Sequence, residues 1–273
     1  MIIKRRAWRF WIMGSTLRCD SFDATELSQD AFLGGRLVIG QPKDGYRAGV
    51  DPVLLAASIP ARAGERVLDL GCGGGVAGLC LAARVPGVLV TGLEVQPAYA
   101  DLARCNAEAN NLALDVVTGD LSNMPDTLRQ QQFDHVIANP PYFDRRKSTA
   151  ARDMGRERAM GEGLALADWV RAAARRVAQK GSVTFIQRAD RLPDLVAAAM
   201  ARLGSLEVLP LIPRRGRVAR LVLLRGRKGG RAGFRLHDGW LLHEGPEHVQ
   251  GGEKYTTATS EVLRNAAALP FPV

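Results

Sequence analysis

The sequence has few of the residues that cross-link a fold, bind a metal or cross a membrane. Its 273 residues contain four cysteines, which form no CxxC pair and show no metal-ligand spacing with the four histidines. We therefore expect reduced thiols, a cytoplasmic location and no metal. No apolar run approaches the roughly 20 residues that span a bilayer, and nothing in the sequence implies a stable protein partner. The cysteines are Cys19, Cys72, Cys80 and Cys105.

Acidic and aromatic residues are also scarce. There are 28 Asp and Glu against 37 Lys and Arg, which gives a formal net charge of +9. Such a balance favours a polyanionic partner, with nucleic acid first and an anionic membrane surface second. Aromatic residues make up only 6% of the chain, which argues against a broad stacking platform for extended single strands. The 47% of hydrophobic residues is enough to bury the core of one large domain.

From Arg66 onward, strand and helix patterns alternate along the chain. This order predicts an α/β fold with a mostly parallel sheet and helices on both faces. The strand patterns lie at 66–70, 88–94, 114–120, 133–139 and 182–188, and the helical patterns at 76–85, 97–111 and 166–179. Two further strand patterns, 206–213 and 218–226, have no helix between them and predict an antiparallel hairpin at one edge of the sheet.

The two ends of the chain differ from this central part. Residues 1–29 are expected to be a flexible leader, because Arg9 interrupts their apolar stretch and no signal-peptide cleavage site follows. Asp51 followed by Pro52 predicts a helix over about 52–59, with Asp51 as its N-cap. The main domain is predicted to span 30–228, and the Gly-rich residues 229–273 to form a C-terminal extension packed on it.

A glycine-rich turn joins the first strand pattern to a helix in VLDLGCGGGVAGLCLA. Gly71, Gly73 and Gly75 allow the backbone to approach a ligand closely, and the helix that follows directs its N-terminus toward that ligand. Residues 73–78 also fit GxGxxG, the dinucleotide fingerprint, but this match alone is weak. The turn predicts a ligand site at the carboxyl ends of the strands.

Three acidic residues at consecutive strand ends indicate which ligand this is. Asp69 precedes the glycine turn, where a carboxylate would attract an ammonium group and repel a pyrophosphate. Glu94 ends the next strand, where an acid can bind a ribose diol, and Asp120 follows the third, where it can meet an adenine amino group. An ammonium, a ribose and an adenine together describe S-adenosylmethionine. The same cofactor site is predicted to include the neighbouring residues Cys72, Val95 and Leu121.

The fourth strand pattern is followed by Asn139-Pro140-Pro141-Tyr142, at the same edge of the sheet. This segment suits methylation of a planar exocyclic nitrogen, because the Asn139 side chain and the Pro140 carbonyl can accept both amine hydrogens. Pro141 stiffens the turn, and Tyr142 offers a face on which a base can stack. We predict that these four residues are catalytic through positioning, without a strong general base, and that Asn139 also contacts the cofactor.

With these motifs, the chain resembles the class I S-adenosylmethionine-dependent methyltransferases, and among them the bacterial tRNA1(Val) (adenine-37)-N6-methyltransferase family. The closer resemblance rests on QPKDGYRAGVDPVLLAA, NPPYF, LLRGRKGGRAGFRL and YTTATSEVLR, and covers about residues 30 to 265. It implies a Rossmann-like class I methyltransferase domain whose sheet has seven strands, the last of them antiparallel. It also implies methyl transfer to N6 of adenine-37 in tRNA, and a cofactor site that includes Tyr46, Arg47 and Asp51.

Two basic segments are predicted to flank this site. Residues 144–158 hold six basic and three acidic residues directly after the NPPY segment, and residues 214–235 hold nine Lys and Arg and no acid. Both could bind the phosphates of a tRNA without reading its sequence, and a folded RNA that presents one flipped-out base suits the site. The residues assigned to RNA are Tyr142, Arg145, Arg146, Lys147, Arg214, Arg215, Arg217 and Lys228.

The same residues are compatible with other functions. The methylated amine could be a guanine N2 in ribosomal RNA or a glutamine amide of a release factor, although release-factor enzymes generally carry a longer helical domain before the glycine turn. A DNA adenine methylase would usually need an added recognition domain. A non-catalytic RNA-binding module with a relic cofactor fold is a further alternative, against which the intact acids, Asn139 and Tyr142 argue.

Overall fold

The chain folds around a mostly parallel β-sheet with a separate β-hairpin beside it. The structure is a computed structural model that describes residues 19–141, 164–245 and 254–272. In chain order its elements are β1 (Leu27–Phe32), β2 (Leu37–Pro42), α1 (Asp51–Ser58), β3 (Arg66–Leu70), α2 (Val76–Arg84), β4 (Leu89–Glu94), α3 (Pro97–Ala109), β5 (Asp115–Thr118) and α4 (Asp126–Arg129). They continue with β6 (Phe133–Ala138), α5 (Leu166–Arg176), β7 (Val177–Arg188), α6 (Leu192–Met200), β8 (Gly204–Ile212), β9 (Leu221–Arg227), β10 (Arg235–Leu236), β11 (Trp240–Leu241) and α7 (Thr257–Asn265). In these described parts, no helix has both the length and the apolar character that crossing a bilayer requires.

Seven strands form the body of the sheet, in the order β8-β9-β7-β6-β3-β4-β5. The strands from β7 to β5 are parallel to one another, whereas β9 is antiparallel to both β7 and β8. The predicted seven-stranded sheet with an antiparallel last strand is therefore confirmed. The short strands β10 and β11 pair with the outer edge of β8, where they satisfy backbone groups that an edge strand would leave unpaired.

Successive residues of each central strand build a core on opposite faces of the sheet. Val67 and Leu68 are both fully buried, yet Val67 belongs to the core formed with α1 and α2, and Leu68 to the core formed with α5 and α6. Ile137 and Val136 divide in the same way. Continuous apolar strands are what two covered faces require, because side chains alternate across a strand. The predicted helices on both faces are confirmed.

The β1–β2 hairpin, which the sequence patterns did not predict, is held against α3 by two asparagines. Asn110 accepts a hydrogen bond from the Val38 N–H at 2.9 Å and donates to the Val38 carbonyl at 2.8 Å. Asn106 makes the same pair of bonds with Gly40, at 2.8 and 3.1 Å, and also donates to the Gly74 carbonyl at 2.9 Å. The two amides therefore pair with β2 as a neighbouring strand would, and Asn106 links the hairpin to the glycine turn.

Several predicted boundaries differ from the structure. The helix predicted over 166–179 ends at Arg176, and residues 177–179 belong to β7. β1 begins at Leu27, inside the segment 1–29 assigned to a leader, because Leu27 is buried against Tyr99 and Leu102 of α3. The N-cap position of α1 belongs to Val50, and Asp51 occupies the first helical turn, so Asp51 is not the predicted cap. Residues 1–18 lie outside the described residues.

The predicted C-terminal extension, residues 229–273, contributes β10, β11 and α7. Near its end, Leu269 is fully buried in the core formed with α1 and α2. The guanidinium carbon of Arg225 on β9 lies 3.9 Å from the centre of the Phe271 ring. Arg225 is itself buried and donates to the Ser58 carbonyl at the end of α1. The extension therefore covers a buried cation as well as the edge of the sheet.

Asn106→Ala tests how far the hairpin and the glycine turn depend on one buried amide. The Asn106 side chain is fully buried, so its loss deprives both backbone groups of Gly40 and the Gly74 carbonyl of these partners. We expect the free energy of unfolding, measured by urea denaturation, to fall by about 3 kcal/mol. The control variant Asn123→Ala removes an exposed asparagine and should change it by less than about 0.5 kcal/mol. Equal effects of the two changes would contradict this role of Asn106.

Candidate functional site

The carboxyl ends of three adjacent strands bring most of the predicted site residues to one edge of the sheet. β3 lies between β4 and β6 and is parallel to both. The chain leaves these strands at Gly71, Val95 and Asn139, one residue after the end of each. Because parallel strands end at a common edge, the glycine turn, the end of β4 and the Asn139-Pro140-Pro141 segment lie side by side.

Backbone bonds and an indole ring fix the glycine turn. The N–H groups of Gly71 and Cys72 both donate to the Leu93 carbonyl, at 2.7 and 3.1 Å, and Gly75 is the N-cap of α2. Gly71 has a φ of +66°, and a Cβ added there would lie 2.6 Å from the indole of Trp169 on α5. Glycine is therefore required at this position for both its conformation and its lack of a side chain.

Asp69 provides a buried carboxylate below this turn. The residue is 2% exposed, and its Oδ2 atom has no hydrogen-bond partner among the described residues. Burial raises the pKa of the Asp69 carboxyl to about 7, with a partly opposing effect of the Gly78 N–H and a further increase from the Glu94 carboxylate. A buried carboxylate with one oxygen that has no hydrogen-bond partner is costly, so this position favours a cationic group.

Glu94 is held in place by the backbone around it. Its Oε2 atom accepts a hydrogen bond from the Gly73 N–H and its Oε1 atom from the Gln96 N–H, each at 2.9 Å. Burial raises the pKa of the Glu94 carboxyl, and the N–H groups of Gln96, Gly73 and Val95 oppose that increase. Each carboxylate oxygen keeps a further acceptor position, so this acid can still receive the two hydroxyls of a ribose.

Tyr46 connects the glycine turn to the Asn139-Pro140-Pro141 segment. Its ring lies 3.9 Å from the position that a Cβ on Gly73 would take, and its hydroxyl accepts a hydrogen bond from Asn139 Nδ2 at 3.4 Å. Desolvation, with smaller contributions from the Asp51 and Asp69 carboxylates, raises the pKa of the Tyr46 phenol to about 12. The hydroxyl is therefore neutral at physiological pH, and both acids lie close enough to act on it.

The Asn139-Pro140-Pro141 segment presents two acceptors at this edge. The hydrogen bond from Asn139 Nδ2 to Tyr46 assigns the acceptor role to the other end of the Asn139 amide. Pro140 is buried, and its carbonyl accepts a hydrogen bond at 3.4 Å from the amide of Gln187, which is fully buried. This carbonyl keeps a second lone pair for a ligand. Tyr142, the fourth predicted catalytic residue, lies outside the described residues.

Two residues assigned to the cofactor site direct their side chains elsewhere. Arg47 forms an ion pair with Asp30 of the hairpin at 2.7 Å and donates to the Ser28 hydroxyl at 2.7 Å. The thiol of Cys72 packs against Gly92, where an added Cβ would lie 2.6 Å from the sulfur. Arg47 thus anchors the segment that carries Tyr46, and Cys72 contributes its backbone to the turn.

Three further residues predicted for the cofactor site, Val95, Asp120 and Leu121, form its more open side. Val95 is 49% exposed beside Glu94, and Leu121 is partly buried against the core formed with α5 and α6. Asp120 lies two residues beyond β5 and is exposed. One of its oxygens accepts from both the N–H and the hydroxyl of Ser122, each at 2.7 Å. This local turn holds Asp120 at the same edge as the glycine turn.

Three of the cations assigned to RNA lie in the turn from β8 to β9. Because β8 is parallel to β7 and ends at Ile212, this turn is at the same edge of the sheet as Asn139. Arg215 and Arg217 are exposed, whereas Arg214 donates to the Glu244 carbonyl at 2.6 Å. The turn therefore places both of these exposed cations at the edge that carries the site.

Lys228 is at the opposite edge of the sheet. It follows Arg227, the last residue of β9. Because β9 is antiparallel to β7, Arg227 pairs with Ser182, at the start of the part of β7 that pairs with β9. Its ammonium group donates to the Val177 carbonyl at 3.0 Å. The assignment of Lys228 to an RNA surface beside the site does not hold, because a whole strand separates it from Arg217. Arg145, Arg146 and Lys147 lie outside the described residues.

Three side chains that organise the site were not identified from the sequence. Trp169 covers the glycine turn, and Gln187 holds the Pro140 carbonyl. The Tyr99 hydroxyl accepts a hydrogen bond from the Tyr46 N–H at 3.0 Å. Each of the three lies in an element that the patterns predicted, but a pattern does not identify tertiary partners. The available signal was the presence of polar or aromatic residues close to the ends of elements that adjoin the site.

S-adenosylmethionine fits these residues, because the buried oxygen of Asp69 suits its ammonium and Glu94 suits its ribose. A family model described as the methyltransferase small domain matches residues 48–160. The crystal structure of a predicted O-methyltransferase from Agrobacterium tumefaciens has a TM-score of 0.66 and 28% identity, over 82% of this chain and 100% of that chain. The Thermus thermophilus 16S rRNA N2 G1207 methyltransferase, in complex with AdoMet and guanosine, shares the fold, with a TM-score of 0.52 and 21% identity over 74% of this chain and 50% of that chain. The protein is a class I methyltransferase, and its cofactor is S-adenosylmethionine.

Curated relatives narrow this class to a family. A Porphyromonas gingivalis protein named tRNA1(Val) (adenine(37)-N6)-methyltransferase is 35% identical over 192 residues, which cover 64% of this chain and 72% of the relative. A Yersinia pestis protein of the same name is 33% identical over 131 residues, which cover 47% of this chain and 52% of the relative. The chain belongs to the tRNA1(Val) (adenine(37)-N6)-methyltransferase family, and the resemblance noted from its motifs is confirmed.

The variant Asp69→Asn tests two effects of this carboxyl separately, namely its cost to the stability of the fold and its contribution to S-adenosylmethionine binding. Burial raises the pKa of Asp69 in the folded state from 3.8 to about 7, so the unfolded state ionises first and wild-type stability falls between about pH 4 and pH 7. Because asparagine does not ionise, we expect the variant to become more stable than wild type across this window and to bind S-adenosylmethionine more weakly. Urea denaturation at several pH values and calorimetric titration measure the two effects. A stability difference that is constant with pH would contradict the raised pKa of this buried carboxyl.

Proposed function

We propose that this chain transfers the methyl group of S-adenosylmethionine to N6 of an adenine in tRNA, namely adenine-37 of tRNA1(Val), in the cytoplasm. The name of the curated relatives supplies the nucleotide. The observation that carries the reaction is the pair of acceptors, the Asn139 amide and the Pro140 carbonyl, held at the edge where Tyr46 meets the glycine turn. Such a pair suits a planar amine with two hydrogens.

Fixed acceptors address the main difficulty of this reaction. The N6 amine is a poor nucleophile, because its lone pair is delocalised into the purine ring. In the proposed complex, Asn139 and the Pro140 carbonyl accept one amine hydrogen each, which turns the lone pair out of the ring plane and toward the methyl group. Gln187 and the Tyr46 hydroxyl hold these two acceptors in place, each at 3.4 Å. Orientation therefore contributes most of the rate gain, and the surplus proton passes to solvent.

The cofactor contributes a methyl group made electrophilic by its positively charged sulfur. In the proposed complex, Asp69 binds the ammonium group and Glu94 the ribose hydroxyls, while Trp169 covers the glycine turn. Burial and backbone bonds already fix Asp69 and Glu94. Little reorganisation is needed when the cofactor binds, which favours a reproducible position of the methyl group.

Exposed cations at the site edge support an RNA substrate. Arg215, Arg217 and Arg220 are all exposed in the turn from β8 to β9, and Val218 at its tip is 84% exposed. Arginines in such a turn can contact phosphates and orient the RNA, whereas the choice of base is made at Asn139 and Pro140. The turn and the site together fit a folded RNA with one base extended into the site.

Methylation of tRNA with labelled S-adenosylmethionine tests this function. Total tRNA is incubated with the protein, and its nucleosides are analysed by mass spectrometry. We expect N6-methyladenosine, which maps to position 37 of tRNA1(Val). Label in guanine of ribosomal RNA or in protein, with none in tRNA, would refute the proposed substrate. Cofactor binding without transfer to any of these would indicate a non-catalytic protein.

Asn139→Ala should nearly abolish methyl transfer while cofactor affinity changes little, because the lost acceptor acts on the amine. We expect kcat to fall at least about 100-fold, as measured with labelled cofactor and tRNA, and calorimetry to give a nearly unchanged Kd for S-adenosylmethionine. The control Asn123→Ala should retain both values. Turnover close to wild type in Asn139→Ala would show that this side chain does not position the amine.

The double variant Arg215→Gln/Arg217→Gln should weaken tRNA binding and its salt dependence. Removal of two phosphate contacts is expected to lower the slope of log Kd against log salt concentration by about 2. The matched control Arg227→Gln/Arg231→Gln removes the same charge from exposed residues at and beyond the opposite end of β9 and should leave the slope nearly unchanged. Equal slopes in the two double variants would show that the β8–β9 turn is an ordinary solvated surface that does not contact RNA phosphates.

A further inference from the structure

The fold brings together three metal-binding side chains that are far apart in the sequence. Asp101 and Cys105 stand four residues apart on α3, so they share one face of the helix. Cys19 reaches them from the segment that precedes the hairpin. The spacing of the cysteines along the sequence predicted no metal site, because it cannot show a pair that tertiary packing creates.

The geometry of this cluster suits a single ion. The Cys19 thiol donates to Asp101 Oδ2 at 3.2 Å, and the Ser21 N–H donates to the same oxygen at 3.0 Å. The two sulfurs and a carboxylate oxygen lie within 4.8 Å of one another. Two sulfur ligands about 2.3 Å from a tetrahedral zinc ion are about 3.8 Å apart, so binding needs shifts of about 1 Å at most. All three residues are partly exposed, which leaves an entry path.

The surroundings of the cluster are negative. The carboxylates of Asp101, Asp20 and Glu108 all act electrostatically on the Cys105 thiol. Arg104 is the opposing charge that acts on Asp101, and its guanidinium is bound to the Val116 carbonyl and the Thr118 hydroxyl. A divalent cation among these ligands would offset the repulsion that a thiolate alone would meet.

We propose that Cys19, Asp101 and Cys105 form a binding site for a thiophilic divalent cation, with zinc as the expected ion. Two thiolates and a carboxylate supply three ligands, and water or the Asp20 or Glu108 carboxylate completes the tetrahedron. Binding releases the thiol protons. The ion links residues 19–26 to α3. This helix also carries Tyr99, whose hydroxyl accepts a hydrogen bond from the Tyr46 N–H. This site is separate from the methyl-transfer site.

Cobalt titration of the reduced full-length protein tests the proposal directly. We expect a thiolate-to-cobalt charge-transfer band that saturates at one equivalent and disappears when zinc is added. Cys19→Ser and Cys105→Ser should each lose the band, and Asp101→Asn should weaken binding. The control Asp115→Asn removes an exposed carboxylate outside the cluster and should bind as wild type does.

A second measurement on wild-type protein does not depend on how the variants fold. Cys72 and Cys80 are buried, whereas Cys19 and Cys105 are partly exposed, so a thiol reagent should modify two cysteines in metal-free protein and none after zinc is added. Zinc should also raise the melting temperature of wild type and not that of Cys19→Ser. Absence of the cobalt band, reactivity unaffected by zinc, or a disulfide between Cys19 and Cys105 in protein purified under reducing conditions would each overturn the proposal.

Discussion

The burial of one carboxylate below the glycine turn is the constraint around which the site is arranged. Asp69 follows three strand residues on a sheet covered on both faces, and burial raises the pKa of its carboxyl to about 7. Without a cation nearby, the folded protein bears the cost of this group. An ammonium bound there interacts more strongly than it would in water, because solvent does not compete. In the proposed complex, cofactor affinity therefore depends on a carboxyl whose burial is unfavourable for the protein alone.

Helix α3 connects the glycine turn to the hairpin and to Tyr46. On one side, Asn106 bonds both the hairpin and the glycine turn, and the Tyr99 hydroxyl holds the backbone of Tyr46. On another side, Asp101 and Cys105 face the segment before the hairpin. A rigid helix that contacts the glycine turn, the hairpin and Tyr46 fixes the positions of all three relative to one another. Methyl transfer that depends on orientation requires such fixed positions. An ion on its outer face would stabilise this same helix and segment.

The sequence predicted what local periodicity and short motifs determine. Apolar runs and helical segments identified β3 to β9 and the helices α1, α2, α3 and α5, although not α6 (Leu192–Met200), and the ends of these strands located Asp69, Glu94 and Asn139 at one edge. Periodicity could not predict the hairpin, whose β2 strand pairs with asparagine side chains of a distant helix instead of a further strand. It also could not predict the cysteine cluster, which long-range packing creates. The sequence placed Lys228 beside the site because it is close to Arg217 along the chain. The two residues lie at opposite ends of β9, and therefore at opposite edges of the sheet.

The direction of β9 also determines how the positive charge of the chain can act on RNA. The net charge of +9 is a property of the whole sequence, but the cations of 214–235 are divided between the two edges of the sheet. β9 has seven residues, so its ends lie about 23 Å apart, whereas salt screens exposed charges beyond about 8 Å at physiological ionic strength. In the proposed RNA complex, phosphates beside Asn139 therefore interact with the β8–β9 turn and gain little from Lys228. Only an RNA long enough to extend along the whole strand would use the cations of both edges.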